Sequence, residues 1–432
     1  MIRRGKDMGF SQALSGLNAA ASSLDVQGNN IANSQTVGFK SSNAQFSDVF
    51  ANSKVGLGTR VSTVLQDFSE GNLEATSRNL DLGISGQGFF RFQQAGQVVY
   101  SRNGQLTMTP DGYLQNSQGA RLMGFGANAA GDVQRGGQPE ILRVAADEMP
   151  ASATTQVATT FNLDSRVTDQ DLRQTTLRTD SATPPATENI EYHFSNNFTA
   201  YDSLGNPRNI SVYYEKTGAN NWTARMAMDG QALMDNAAPP AVEEYDLLFD
   251  VNGQLRAGVG DVDADGNIAG GIPFSSADFM ANEPADLNFA MNIAGSTQFG
   301  NTSTTSSLTQ NGYTSGALIG IAIEDDGTVT RNYANEQSLA AGQVAMANFR
   351  NPEGLKPEGD NAWSATQASG QELVGPPGTG LLGTIESGAI ETSNVDMASE
   401  LVSMIVTQRA YQANSQTIKT QDEVLQTAIN LR

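Results

Sequence analysis

The sequence has no cysteine and only one histidine, and these two scarcities exclude several kinds of site. Without cysteine there is no disulfide, no thiolate nucleophile and no cysteine-bound metal. His193 cannot form a multi-histidine metal site by itself, and no nucleophile-elbow pattern supports a catalytic triad with it. Aromatic residues make up only 7% of the chain while glycine occurs 44 times, which is typical of many turns and modest cores.

Long apolar runs are also missing. No run approaches the ~20 residues that a helix needs to span a bilayer, so we expect no membrane insertion. The opening MIRRGKDMGF is basic, but no apolar segment follows it, so it does not have the pattern of a cleaved secretory signal. Met8 is an alternative start, which would make residues 1–7 an extension.

Negative charge is concentrated in one part of the chain. Residues 146–312 contain 22 acidic and 7 basic side chains, and so carry −15 of the total charge of −21. The first sixty residues carry 6 basic and 3 acidic side chains. Such an acidic segment disfavours nucleic acid as a partner. Self-association would meet least electrostatic repulsion at the two ends.

A helical pattern opens the chain. Its apolar and small residues follow alternating steps of four and three, which is typical of a heptad-type stripe. Asn33 and Gly38 then interrupt the pattern. The stripe consists of Phe10, Leu14, Leu17, Ala21, Leu24, Gly28 and Ile31.

A second helical pattern closes the chain. Ser393, with Asp396 three residues later, forms an N-capping pattern, and Glu400 suits the positive first turn of a helix. Polar residues interrupt the apolar stripe, so we expect this helix to become ordered only against other helices. The stripe consists of Met397, Met404, Tyr411, Ile418 and Leu425, with Leu401 and Ile429 at the alternate core position.

Between the two ends the pattern changes to period two. Asn-Gly and Asp-Gly pairs separate alternating runs such as VVYS, QLTMT and YLQN, as they do in tight hairpins. The middle of the chain is therefore predicted to be antiparallel β-structure. Residues 149–164 and 180–188 are rich in Ala, Thr, Ser and Pro, which suggests a hinge and a loop. The Asn-Gly and Asp-Gly pairs begin at positions 103, 111, 229, 252, 265, 311 and 326.

These patterns predict a mainly β, multi-domain chain with terminal α-helices, in which the domains are nested. The N- and C-terminal helices form an inner α-domain, and two separated segments form a discontinuous antiparallel β inner domain. An acidic outer β-domain is inserted into the latter, and a connector with one hairpin links the inner parts. The predicted boundaries are 1–40 with 393–432 for the helices, 41–72 with 365–392 for the connector, 73–145 with 313–364 for the discontinuous domain, and 146–312 for the inserted domain.

Several segments of the chain resemble the rod–hook–filament axial protein family of the bacterial flagellum. NNIANSQTVGFK (29–40) is similar to the family's N-terminal rod motif, and ESGAIETSNVDMASELVSMIVTQRAYQANSQTI (386–418) to its C-terminal motif. NLDLGISGQGFFRF (79–92) with RNGQLTMTPDGYL (102–114) resembles the block that follows the N-terminal motif. YDSLGNPRNISVYYE (201–215) resembles a segment of the outer domain.

This resemblance implies a structural subunit without enzymatic activity or a cofactor. It implies a homopolymer, a curved helical tube that acts as a universal joint and transmits torque from rod to filament. The implied partners are the flagellar rod, the hook cap, the hook–filament junction proteins and the type III export apparatus. The implied location is the flagellum outside the cell, reached without a cleaved signal peptide. A distal rod or other axial subunit is the alternative, but the long acidic insert argues against it.

The resemblance also implies that the two terminal motifs carry contacts between copies. A local alternative remains for Asn33 and Gly38, which end the first helical pattern, and for Ser393 and Asp396, which suit a helix cap. The residues assigned to assembly are Leu14, Leu17, Leu24, Asn30, Ile31, Asn33, Gly38, Phe39, Ser393, Asn394, Asp396, Leu401, Met404, Tyr411, Ile418 and Leu425.

One motif in the middle suggests a metal. Asp261, Asp263 and Asp265 are spaced as at the start of a calcium loop, but Ile272 stands where such a loop needs a bidentate glutamate. An acidic turn is therefore favoured over a calcium site, and a secreted calcium-dependent β-protein is the weakest alternative function. The glycines of GISGQGFF lack the following helix and the lysine of a phosphate-binding loop, so they are predicted to serve turns.

Overall fold

The structure is a computed structural model that describes residues 3–49, 56–180, 185–235, 240–275 and 285–430. Its contacts divide the chain into two compact units. No helix in these ranges is long and apolar enough to cross a membrane. Unit 1 consists of Met1–Ala146, Ile319–Asn332 and Ser338–Arg432, and unit 2 consists of Asp147–Leu318 and Tyr333–Gln337.

Unit 1 begins with a long helix, α1 (Arg3–Ala32), followed by a hairpin of β1 (Ser42–Asp48) and β2 (Thr59–Gln66). The two strands pair antiparallel with an irregularity after Gln45, so the segment predicted as a connector contains the expected hairpin. The short strands that follow are β3 (Leu73–Ala75), β4 (Asp81–Ser85), β5 (Phe89–Gln94), β6 (Gln97–Ser101), β7 (Gly104–Gln105), β8 (Thr107–Met108), β9 (Leu114–Gln115), β10 (Arg121–Gly126) and β11 (Glu140–Ile141).

Unit 2 is a β-domain with its own core. Trp222 and Tyr214 are fully buried in it, and the indole nitrogen of Trp222 donates a hydrogen bond of 2.9 Å to Gln298 Oε1. Its strands are β12 (Gln156–Asp164), β13 (Arg173–Arg178), β14 (Thr187–Tyr192), β15 (Phe194–Tyr201), β16 (Pro207–Lys216), β17 (Asn221–Met228), β18 (Gln231–Ala232), β19 (Glu244–Leu248), β20 (Ile272–Phe274), β21 (Leu287–Asn292), β22 (Thr297–Phe299) and β23 (Thr304–Gln310).

The chain then returns to unit 1 and ends in a second helix, α2 (Met397–Asn430). The returning strands pair with those of the first segment: β26 (Ser338–Val344) pairs with β10, β31 (Thr384–Ser387) with β4, and β32 (Ala389–Glu391) with β3. Phe90 and Phe92 of β5 are fully buried between them, as core residues. The strands are β24 (Leu318–Ile323), β25 (Thr328–Tyr333), β26 (Ser338–Val344), β27 (Met346–Asn348), β28 (Lys356–Gly359), β29 (Ala362–Ser364), β30 (Leu373–Gly375), β31 (Thr384–Ser387) and β32 (Ala389–Glu391).

The predicted fold class, mainly β with packed terminal helices, is confirmed, but two details differ. Residues 149–164 were expected to form a hinge, yet β12 occupies Gln156–Asp164 and buries Val157, Phe161 and Leu163. Composition obscured the period-two alternation of these apolar residues with Thr, Asn and Ala, which is the signal of a half-buried strand. The sheets are also not purely antiparallel, since β12 pairs parallel with both β21 and β22.

The Asn-Gly and Asp-Gly pairs serve two purposes. Asp229 and Gly230 both have positive φ, 50° and 81°, and join β17 to β18 in a two-residue hairpin turn. Gly104 and Gly312 do not have positive φ, contrary to the hairpin prediction. A Cβ at Gly104 would lie 2.1 Å from the Leu82 carbonyl oxygen, so this position requires glycine because the backbones approach closely.

A buried carboxylate organises the turn between β15 and β16 in unit 2. Asp202 Oδ1 accepts hydrogen bonds from the backbone N–H groups of Leu204 and Asn206 at 3.0 and 2.9 Å. Its Oδ2 accepts one of 3.0 Å from Arg208 Nη2. Burial raises the pKa of the Asp202 carboxyl, but hydrogen bonds from Asn206 and Arg208 outweigh burial and leave the pKa below its ordinary value.

Replacing this carboxylate should destabilise unit 2. Asp202→Ala leaves partly buried donors unpaired, and we expect a loss of about 1–3 kcal/mol in the free energy of unfolding. Because the folded-state pKa is depressed, the carboxylate's contribution is present above the unfolded pKa of about 4 and is lost as the pH falls through the folded value. Urea unfolding followed by Trp222 fluorescence, in a Trp363→Phe background, measures both effects. An equal loss from Asp265→Ala, an exposed control in the same unit, would contradict the assignment.

Candidate assembly site at the chain ends

Three charged side chains from distant parts of the sequence meet inside unit 1. Lys40 follows α1, Arg102 follows β6, and Glu391 ends β32. Lys40 Nζ lies 2.7 Å from Glu391 Oε1, and Arg102 Nε lies 3.3 Å from Glu391 Oε2. The side chains of Lys40 and Glu391 are 0% exposed and that of Arg102 is 3% exposed. We call these three residues the ion cluster.

Backbone N–H groups around the ion cluster also donate hydrogen bonds to Glu391. The Gly38 N–H donates a hydrogen bond of 2.8 Å to the Glu391 carbonyl, and the Gly71 N–H donates one of 2.9 Å to Glu391 Oε1. Gly38 has a φ of +71°, and a Cβ there would lie 2.7 Å from the backbone nitrogen of Asn103. Glycine is therefore required at position 38 both for its conformation and for lack of space.

Burial makes the ion cluster dependent on all its members. It lowers the pKa of Lys40, although the nearby Glu391 carboxylate opposes this effect, and it also lowers the pKa of Arg102. Arg102 Nη2 donates a hydrogen bond of 3.0 Å to the Gly86 carbonyl. Removing one member of such a buried set leaves a charge that is neither solvated nor paired, which costs more than the pair contributes over apolar groups.

Asn30 connects the end of α1 to two other elements. Its side-chain nitrogen donates hydrogen bonds of 2.8 Å to the Ser42 carbonyl and 2.9 Å to Glu400 Oε1, and its side-chain oxygen accepts one of 2.9 Å from the Ser42 N–H. Asn30 is buried. An asparagine supplies donors and an acceptor together, which no aliphatic residue of this size does. The structure thus gives Asn30 a role inside the chain, joining α1, β1 and α2.

The other residues of the terminal motifs lie near the same place. Phe39 is buried, and Asn33 lies in the turn after α1, where its N–H bonds to the Asn29 carbonyl at 3.1 Å. Asn394 Oδ1 accepts a hydrogen bond of 2.8 Å from the Ser41 N–H, and its nitrogen donates one of 2.9 Å to the Asp67 carbonyl. These contacts hold the segment before α2 against the segment after α1.

The cap of α2 differs from the predicted one. The helix begins at Met397, and Asp396 Oδ1 accepts hydrogen bonds from the N–H groups of Ala398 and Ser399 at 2.9 and 3.2 Å. Asp396 is therefore the N-cap residue. Ser393 lies outside the helix, and its hydroxyl accepts a bond of 3.3 Å from the Val395 N–H. The Ser–x–x–Asp spacing matched a capping box, but the helix starts three residues later.

The helix α1 is covered more completely than α2. Ser15 Oγ accepts a hydrogen bond of 3.2 Å from the Thr59 N–H of the hairpin, and Gln27 Nε2 donates one of 3.2 Å to Thr407 Oγ1 of α2. Of the predicted α1 stripe, Leu17, Leu24 and Ile31 are half-buried and Leu14 is exposed. In α2, Met404 and Ile418 are half-buried, Leu401 and Tyr411 are exposed, and the side chain of Leu425 lies outside the described residues.

A second apolar surface of α2 is exposed, and of its four residues the heptad pattern assigned only Leu401. Leu401, Val402, Ile405 and Val406 are 47, 62, 51 and 62% exposed. We call these four residues the outer face of α2. The run LVSMIV was the available signal, because a helix that is apolar on more than one face has more than one partner or is buried. The members of the ion cluster also went unassigned, since sequence does not show which distant charges meet.

The acidic motif of unit 2 forms turns. Asp263 Oδ1 accepts hydrogen bonds of 2.9 and 2.8 Å from the N–H groups of Asp265 and Asn267. Asp261 Oδ2 accepts one of 2.7 Å from the Asp246 N–H. In the described part of the chain, no three His, Cys, Asp or Glu side chains are grouped as metal ligands. These contacts fit the acidic-turn interpretation.

Comparison with known families matches flagellar models along most of the chain. Four consecutive parts of the chain match four separate families. They are the "Flagella basal body rod protein" family over residues 11–40, the "Flagellar hook protein FlgE/F/G D1 domain" over 83–159, the "Flagellar basal body protein FlaE D2 domain" over 162–313, and the "Flagellar basal body rod FlgEFG protein C-terminal" family over 386–431.

Two relatives that align over nearly the whole chain are flagellar hook proteins. The flagellar hook protein FlgE of Escherichia coli K12 is 44% identical over 430 residues, which cover 98% of this chain and 100% of that protein. The flagellar hook protein FlgE of Borreliella burgdorferi is 30% identical over 458 residues, 97% of this chain and 98% of that protein. The crystal structure of Helicobacter pylori flagellar hook protein FlgE2 has a TM-score of 0.51 at 12% identity, covering 74% of this chain and all of that one, and supports the fold alone.

Neutralising the centre of the ion cluster should destabilise unit 1. Glu391→Gln leaves Lys40 and Arg102 buried without their ion-pair partner. We therefore expect a loss of about 3–5 kcal/mol in the free energy of unfolding of unit 1. Lys40→Met with Glu391→Gln should lose less than the sum of the single changes. Urea unfolding followed by Trp363 fluorescence, in a Trp222→Phe background, provides the values. Glu358→Gln, which breaks an exposed pair with Lys356, is the control and should leave the midpoint unchanged. Strict additivity would contradict the coupling.

Proposed function

The chain belongs to the flagellar hook protein family, and on that premise we propose that it is the structural subunit that polymerises into the curved tubular hook. The family is a structural one rather than an enzyme family, and its members are parts of the bacterial flagellum. In this role the polymer links the rod to the filament and transmits motor torque through a bend during motility. Relatives over the full length support the hook over the alternative, a distal rod subunit.

The outer face of α2 is the observation that carries this proposal. Four apolar side chains, each about half or more exposed, form it on a helix that otherwise packs on α1. Fully burying an exposed side chain of this kind is worth roughly 1.5–3 kcal/mol, and because each of the four is already about half covered, roughly half of that free energy remains to be gained. A single copy leaves this free energy unused, whereas a neighbouring copy can cover the face. Contact between copies of the chain is therefore favoured at α2.

The other flagellar components that the chain would contact follow from the same premise. In the proposed assembly the terminal helices continue the contacts of the flagellar rod below, under a hook cap that is later replaced by hook–filament junction proteins. The chain reaches this position unfolded, through the type III export apparatus, without cleavage of a signal peptide. The matches of both chain ends to rod-protein families support a packing scheme shared along the axis.

The nested division into domains is part of the proposal. The terminal helices would form the innermost layer, the discontinuous β-domain the next, and residues 146–312 the outermost. The charge of −15 on this last segment supports a solvent-facing position. Like charges on neighbouring copies repel weakly in salt, because they are screened beyond a Debye length of ~10 Å at 0.1 M. Weak contacts there would let copies slide as the tube bends.

Charging the outer face of α2 should prevent polymerisation without unfolding the β-structure. Val402→Asp with Val406→Asp would bury two carboxylates at each contact between copies, which is costly. We expect no tubes in negative-stain electron microscopy and an unchanged urea midpoint of the chain. Val402→Ile with Val406→Ile is the matched control and should still form tubes. Normal curved tubes from the aspartate variant would exclude this face as a contact.

Removing the inserted domain should alter curvature and leave assembly intact. The ends of the insert lie side by side, since Met149 bridges Gly316 and Ser152 bridges Tyr313, so a short Gly-Ser link can replace residues 149–316. Because the proposed tube is held by the terminal helices, the deletion variant should polymerise into tubes that have lost the natural supercoil. Electron microscopy decides between the outcomes. An unchanged supercoil, or no polymer, would each count against the proposed role of the outer domain.

A further inference from the structure

The contacts between α1 and α2 include polar groups that lie beside the apolar stripes. At one end Asn30 Nδ2 donates a hydrogen bond of 2.9 Å to Glu400 Oε1, and along the helix Gln27 Nε2 donates one to Thr407 Oγ1 at 3.2 Å. At the other end Gly16 faces Asn414 so closely that a Cβ on the glycine would lie 2.8 Å from Asn414 Nδ2. These are specific contacts, because the two hydrogen bonds need particular side chains on both helices and the third contact needs glycine opposite Asn414.

The outer two contacts share one register. Gly16 and Asn30 are fourteen residues apart on α1, and Glu400 and Asn414 are fourteen residues apart on α2. In an antiparallel pair both contacts therefore form together. A shift of α2 by one heptad would keep apolar residues roughly in phase. It would, however, bring Gln421 to Gly16 and take Glu400 away from Asn30.

Apolar stripes alone determine such a register weakly. Both stripes consist of side chains that recur every seven residues, so positions one heptad apart differ little in buried apolar area. A buried polar group changes this balance, because in the wrong register it loses its hydrogen bonds and remains desolvated. Asn30 makes the effect stronger, since its remaining groups are already held by Ser42 and it cannot follow a shifted partner.

We propose that the contacts Gly16–Asn414 and Asn30–Glu400 determine the register of α1 on α2 and so specify where along the helix pair the outer face of α2 is presented to a second copy of the chain. This inference rests on the proposed polymerisation, which supplies the second copy. The residues act as positioning residues: they do not contact the neighbour, but they fix where the outer face of α2 lies along the helix pair.

Engineered cysteine pairs test the register directly, because the natural chain contains no cysteine. Gly16→Cys with Asn414→Cys joins positions in register, and Gly16→Cys with Gln421→Cys joins positions one heptad apart. The second pair keeps Asn414 opposite the new Cβ, so the Asn30–Glu400 contact is the one that holds the register in it. After mild oxidation under assembly conditions, we expect the first pair to form an intrachain disulfide and the second to remain at background. Non-reducing gels and peptide mass spectrometry separate intrachain from interchain products.

In a second step, two polar side chains of α2 that contact α1 are replaced in the variant that carries the off-register cysteine pair. Adding Glu400→Leu and Thr407→Leu to Gly16→Cys/Gln421→Cys should raise its intrachain disulfide several-fold. The matched control adds Gln412→Leu and Gln416→Leu, two exposed positions of α2, and should leave the yield at background. The proposal would be overturned by a strong off-register disulfide before the leucine changes, or by no rise in its yield after them. It would also be overturned if neither pair formed a disulfide or if the products were mainly interchain. Tube formation is scored separately by electron microscopy, so failure to polymerise counts against the proposed function and not against the register.

Discussion

The ion pair between Lys40 and Glu391 is the interaction on which the rest of unit 1 depends. Each side chain is fully buried, so neither can remain charged in the fold without the other nearby. Around this pair the Gly71 N–H donates a hydrogen bond to the Glu391 carboxylate, the Gly38 N–H donates one to the Glu391 backbone carbonyl, and Arg102 forms an ion pair with the carboxylate. The segments that follow α1, β2 and β6 thus meet at one carboxylate at the end of β32. A buried ion pair is a poor source of net stability, but it strongly penalises any arrangement that separates its members.

Much of the architecture was predictable from periodicity. Heptad spacing located α1 and α2, and Asp229-Gly230 marked a true hairpin. The failures have physical causes. Gly104 occupies a close backbone approach, which sequence does not distinguish from a turn, and the alternation in β12 was hidden by its small polar residues. The candidate site was identified as a region, but Lys40, Arg102 and Glu391 are adjacent only through tertiary structure, so no local pattern could pair them.

The terminal motifs combine two kinds of residue that sequence alone did not separate. Asn30, Gly38 and Asn394 are used inside the chain, where their hydrogen bonds and conformation join the helices to the hairpin. Val402 and Val406, by contrast, are uncovered. The interior set makes one definite shape from two remote ends, and the uncovered set is then available to other copies. The local interpretation of the motifs and the assembly interpretation are therefore compatible, because they apply to different side chains.

The sequence separation of the central ion pair, 351 residues, has a consequence for the order of folding. A ribosome delivers the chain from its N-terminus, so Lys40 emerges long before Glu391 does. Contacts between residues so far apart in sequence form late. Glu391 must first be released, and closing so long a loop costs more entropy than forming a local contact. Unit 2 is largely one continuous stretch and needs no such wait. The chain can therefore complete unit 2 first, while the packing of α2 on α1 and the outer face of α2 form only when its final forty residues are free.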